Sequence, residues 1–238
     1  MNEYYLKKEK KLRRDMEKYL APAARAIEEK TGKPYGDILE ETWSCYRKDM
    51  MEHFPYIGGD KASGTRNLTG AYVFVALGVV MLRHGATMEE WGLIATDAYR
   101  KYFEKIPGFI RHLGPKLISH PDFAVKMLRR KDEKNRKNAI INHGSFETSV
   151  KAPTEDYPVI YHVNVCPLHR FARAFGYMEF MPYICNLDYV MFESFGIPFY
   201  RERTCSSGDT CCDFKFSDTL PVVPSWPCHA VTPGDSLK

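Results

Sequence analysis

The spacing of apolar residues changes once along this chain, and that change limits the folds open to it. Residues 1–135 keep the three-to-four-residue recurrence of helices that pack one face inward. Glu3 to Lys30 contains one breaker, Pro22, and closes at Gly32, which predicts one kinked helix or two. Pro34 pre-sets the next start, and Ile38, Leu39, Trp43, Tyr46 and Met50 follow at helical spacing. Residues 55–65 hold a proline, three glycines and a serine and read as a loop. Asn67 to His84 is apolar nearly all round and closes on Gly85, the pattern of a helix in the centre of a bundle. Thr87 and Glu90 form a capping box. The helix they open carries Trp91, Ile94, Ala98, Tyr102 and Ile106 on one face until Pro107 stops it. Residues 107–130 read as shorter helical pieces, broken at Gly114-Pro115 and at Pro121.

Residues 136–217 follow a different period. Ala139 to Val150 and Val159 to Cys166 are rich in β-branched and aromatic residues, and both read as strands. Pro167 opens a helix that Gly176 ends, and Met178 to Ser194 forms another before Gly196. Ile197 to Cys205 and Cys211 to Ser217 then read as a hairpin around Ser206-Ser207-Gly208-Asp209. The expected architecture is α+β: a helical half, then an antiparallel sheet in the order strand–strand–helix–helix–strand–strand, the two forming one compact unit. Residues 218–238 carry four prolines and read as an irregular tail.

Composition narrows the function classes. The net charge of +4 is concentrated in two runs, residues 1–18 with seven Lys/Arg against four Asp/Glu and residues 126–137 with seven against two. Such runs are ordinarily solvated helix faces, and no zinc-finger or single-strand-binding pattern accompanies them, so no nucleic-acid partner is expected. The longest apolar run, Ala71 to Leu82, is 12 residues, short of the roughly 20 that span a bilayer, so no membrane span is expected. Charges occupy the place in Met1 to Lys18 where a signal peptide needs its apolar stretch. The seven cysteines are odd in number and two are adjacent, which argues against a secreted disulfide framework. The chain therefore reads as cytoplasmic with reduced thiols, and the oligomeric state is not legible.

The residues able to carry chemistry cluster in 143–214. Cys166-Pro167-Leu168-His169 sits where a strand runs into a helix, and a helix start favours a thiolate. The plainer alternative is a half-buried strand end. Cys185 and Asp188 are three apart and share a helix face with Met181, which suits an acid or base beside a nucleophile. A surface Asp next to a core Cys fits the same spacing. In Cys211-Cys212-Asp213-Phe214, alternation turns Cys212 toward the core with Phe214 and Phe216, leaving Cys211 as the exposed thiol. Arg201 and Arg203 share a strand face and suit capture of a carboxylate, or form an ordinary solvent face. His143 lies near a turn and reads as structural. A metal held by Cys166, His169, Cys185, Cys205, Cys211, Cys212, Cys228 or His229 stays open, although no paired C-x-x-C knuckle supports zinc.

These residues resemble the L-2-amino-thiazoline-4-carboxylic acid hydrolase family. The resemblance rests on Cys166, Gly176, Glu179, Cys185 with Asp188, Arg203-Thr204, Gly208 and Cys212-Asp213-Phe214. The apolar helix followed by His84-Gly85-Ala86-Thr87 and Glu90 adds to it, and the whole covers most of residues 65–217. Cys205, Cys211 and Cys228 fall outside the pattern. The resemblance implies hydrolytic opening of a small cyclic isothiourea to N-carbamoyl-L-cysteine. It implies a catalytic thiol among Cys166, Cys185 and Cys212, Asp188 as acid/base, and Arg203, His169, Glu179 and Asp213 as substrate-binding residues. No cofactor is expected. A looser resemblance, to small-molecule-binding domains of the 4-vinyl-reductase type, implies a module that holds its ligand unchanged.

Overall fold

The structure, a computed structural model, describes residues 2–223. Its N-terminal half is a packed set of helices: α1 (Glu3–Leu20), α2 (Ala24–Thr31), α3 (Tyr35–Cys45), α4 (Ser63–Arg83) and α5 (Met88–Glu104). Pro22 converts one turn, Ala21–Ala23, to a 3-10 helix, which separates α1 from α2. Gly32 then ends α2 in the left-handed region at φ 64°, which only glycine adopts without strain. The capping box is present in full: Glu90 N–H donates to Thr87 Oγ1, and Thr87 N–H to the Glu90 carboxylate.

α4 is the central element, as its all-round apolar pattern requires. It is long and apolar enough by length and composition to cross a membrane, yet two thirds of that stretch (67%) is buried inside the fold. Gly78 in its middle makes room for two rings. A Cβ there would lie 2.7 Å from Phe180 and 2.8 Å from Trp91, and the Trp91 indole N–H donates to Phe74 O at 2.9 Å. The Tyr72 hydroxyl donates to Leu168 O at 2.9 Å, tying α4 to a helix of the second half.

After the short helices α6 (Gly108–Arg111) and α7 (Leu113–Ile118), α8 runs from Pro121 to Ile141. This corrects the expected strand from Ala139. Ala139, Ile140 and Ile141 extend a helix whose end is held from outside. Asn142 N–H donates to Asn138 O at 2.7 Å, and the Asn138 amide reaches Ile57 O at 2.9 Å. The helix's own closing bond at Asn142 and the tertiary bond to Ile57 override the β preference of two isoleucines that are themselves exposed. The first strand is therefore only β1 (Glu147–Val150).

The remaining elements are β2 (Val159–Val165), α9 (Pro167–Phe175), α10 (Met181–Ser194), β3 (Phe199–Tyr200) and β4 (Cys212–Phe216). The sheet order is β1-β2-β4-β3 with every pair antiparallel. The fold is α+β. The hairpin is present, but its first strand holds two residues; Arg201 and Arg203 lie beyond it, and Cys205–Ser207 forms a 3-10 turn. Register places Val163 opposite Cys212 and Tyr161 opposite Phe214, so one sheet face is apolar. That face packs on Ala124 and Val125 of α8 and on Tyr189 and Phe192 of α10 as a second core, distinct from the helical core around α4. α10 contributes to both cores.

Candidate active site

The seam between the two cores is where the candidate residues meet. Cys166 caps the start of α9 at the end of β2, Cys185 and Asp188 project from α10, and Cys205 and Cys212 come from the hairpin. Their charges act on one another across the seam. The Cys185 thiol is 3.3 Å from the Ser206 hydroxyl, and the Cys205 and Cys212 sulfurs are 3.5 Å apart. All six described cysteines are free thiols; Cys228 and His229 lie outside the described residues.

Arg201 organises this cluster. Its guanidinium donates from Nη1 to Asp188 Oδ2 at 2.7 Å and from Nη2 to Cys185 O at 2.9 Å. Its side chain is 4% exposed, and the guanidinium lies over the rings of Tyr189, Phe199 and Phe214. A buried guanidinium has to be paired, and Asp188 pairs it. The expectation that Arg201 and Arg203 share a face fails because β3 ends at Tyr200. Arg201 turns inward, while Arg203 stays 48% exposed with its Nε 3.7 Å from Asp213.

Asp188 is deeply set, and burial raises its carboxyl pKa against the downward pull of Arg201. Its side chain nonetheless keeps 34% of its surface accessible. Asp188 is thus packed about by protein while part of its side chain stays in reach of solvent. Lys131 of α8 has the same character: burial lowers its ammonium, the charges of Asp132 and Asp188 hold it up, and the residue remains accessible. Its Nζ sits 5.6 Å from the centre of the Tyr161 ring. Asp132 beside it fixes α8 to the edge strand by accepting from Val150 N–H at 2.7 Å and from the Thr148 hydroxyl. The sequence marked Lys131 only as one member of a basic run.

Burial governs the thiols. It pushes Cys185 up to about 12 and Cys166 higher still, although the amides of Leu168 and His169 at the α9 start pull Cys166 down in part. Cys212 donates its S–H to Cys205, so Cys212 holds its proton and the Cys205 thiol is lowered. Cys205 thus becomes the most acidic partner of the cluster, a property that depends on a neighbour seven residues away across a turn.

The remaining predicted residues have surroundings of their own. Cys211 is buried, which corrects its expected exposure; its sulfur is 3.5 Å from His162 Nδ1 on the opposite sheet face. Asp213 is fully buried, and its Oδ1 accepts from the amides of Glu202 at 3.0 Å and Arg203 at 2.6 Å. It therefore shapes the hairpin. Glu179 is exposed, and among the described residues no hydrogen bond or ion pair holds its side chain. His169 is half-buried, with burial and Arg173 lowering its imidazole. Among the described residues no group of three or more His, Cys, Asp or Glu is placed to hold a metal ion.

A partly accessible carboxylate beside free thiols is a set of groups that a small-molecule hydrolase can use. The chain belongs to the L-2-amino-thiazoline-4-carboxylic acid hydrolase family, whose pattern matches residues 66–216. That supports a hydrolase of this kind, and the span holds Lys131, Cys166, Cys185, Asp188, Arg201, Cys205 and Cys212. Comparison with curated proteins and with solved structures gave no match.

Proposed function

We propose that the protein opens a small cyclic isothiourea or amidine bearing a carboxylate, such as L-2-amino-thiazoline-4-carboxylate, giving N-carbamoyl-L-cysteine. The observation that carries this reading is the placement of Cys185 and Asp188 on one face of α10, with Arg201 bonded to both the carboxylate and the Cys185 carbonyl.

Cys185 attacks the ring carbon between sulfur and nitrogen. Its thiol is too weak an acid to be ionised beforehand, so the proton leaves during attack. Asp188 takes it on the oxygen that Arg201 leaves free. The ring carbon–sulfur bond breaks, and Asp188 returns the proton to the departing sulfur. Water then adds across the carbon–nitrogen double bond at the same carbon, one of its protons going to the former ring nitrogen; Cys185 leaves with the other, and the water oxygen becomes the carbamoyl carbonyl. Lys131, beside Asp188, anchors the substrate carboxylate. Arg203 and Asp213, engaged with each other around the hairpin, are given no part in this scheme. We place the reaction in a reducing compartment, where the thiols remain free, with no metal required.

Incubation with L-2-amino-thiazoline-4-carboxylate, with and without a chelator, tests the reading. N-carbamoylcysteine in both samples supports it. Loss of product on chelation would transfer the chemistry to a metal. Stoichiometric binding with release of unchanged ligand would indicate a binding module.

A further inference from the structure

A recess of about 250 Å³ opens between α1, the turn at Gly59–Lys61, the first turns of α4 and Tyr102 of α5. No cysteine lines it, and neither does Asp188. Much of its wall comes from α1, which precedes the family match at residues 66–216.

The charges on the wall do not cancel. Lys8 is paired with Asp60 at 2.7 Å, and Lys11 with Asp15 at 2.8 Å. Arg66 is left over: among the described residues its guanidinium has no ion pair and no hydrogen bond. Arg66 lines the recess, and its charge acts on the phenols of Tyr19 and Tyr99. Thr65 on the same wall is 5% exposed, and its hydroxyl has no partner. A buried hydroxyl left unpaired costs free energy, which a ligand's polar atom would recover. The rings of Tyr19 and Tyr102 lie 4.7 Å apart along one side. Burial, with Tyr102 and Asp15 nearby, pushes the Tyr19 phenol up to about 12, so it remains a donor at neutral pH.

We infer that this recess is a second binding site, for a small planar carboxylate held by the Arg66 fork and the Thr65 hydroxyl against the Tyr19 and Tyr102 rings. A guanidinium pairs a carboxylate bidentately, and aromatic walls favour a flat body over a compact tetrahedral anion. The inference does not depend on the chemistry at Cys185.

Calorimetric titration of the full chain with benzoate, benzamide and inorganic phosphate tests it. Benzoate binds at one per chain, and benzamide binds about tenfold more weakly or worse because the charge is gone. Arg66→Gln, at an exposed position, loses about tenfold for benzoate, and the near-isosteric Thr65→Val loses severalfold. Cys185→Ser binds benzoate as the wild type does. No saturable benzoate binding would overturn the inference. So would wild-type affinity in either Arg66→Gln or Thr65→Val, or phosphate binding more tightly than benzoate.

Discussion

Arg201 shows how one side chain couples stability to chemistry in this fold. Its charge is withdrawn from water and matched by Asp188, so truncating it leaves a buried carboxylate without its partner. Arg201→Met is expected to cost about 3 kcal/mol, allowing for the exposed third of Asp188, and thermal unfolding reads the loss. Asp188→Asn leaves the buried Arg201 charge without its counter-ion, so it should lose hydrolysis and also cost about 3 kcal/mol, whereas Cys185→Ser should fold as the wild type does and lose hydrolysis. Lys131→Gln should raise KM for a carboxylate substrate about tenfold with little change in kcat, whereas Arg203→Gln should leave both within about twofold. The pH profile follows from the same two groups. As the proposed base Asp188 must be ionised, and burial raises its pKa, so the acid limb of kcat/KM is expected above the ordinary aspartate range. Cys185, pushed up to about 12, produces no fall in kcat on the alkaline side through pH 9, whereas the Lys131 ammonium, lowered by burial, acts there on KM alone. A plateau that begins at the usual aspartate pKa would contradict this assignment.

Individual elements gain their positions from contacts that differ in how visible they are in sequence. α4 was legible because an all-apolar helix has only the centre of a bundle to occupy, and α5 because its cap is local. The Cys185–Asp188 face was legible from spacing alone. The end of α8 was not, because Asn138 and Ile57 are distant in sequence. Nor were Lys131 and Cys205, whose character comes from neighbours on other elements. Arg201 and Arg203 were misplaced as a pair for a related reason: alternation holds only while a strand lasts, and this one ends at Tyr200. At this scale Gly78→Val should destabilise by about 2 kcal/mol as the Trp91 and Phe180 rings are displaced, measured by denaturant unfolding. Asn138→Ala should cost about 1 kcal/mol and raise amide exchange around residues 138–142 before other segments.

The whole molecule places its candidate reactive groups where two cores adjoin. The helical core holds α10 from one side, the sheet core holds the hairpin from the other, and the thiols stand between them. Such a seam supplies burial for Arg201 and access for Asp188 together, which neither core alone would do. The central claim is that this seam is a hydrolytic site with Cys185 as its nucleophile. The most direct measurement is mass spectrometry of wild type and Cys185→Ser after brief incubation with L-2-amino-thiazoline-4-carboxylate. The account predicts N-carbamoylcysteine from the wild type, none from the variant, and a transient adduct on the peptide carrying Cys185. Full product formation by Cys185→Ser would contradict it.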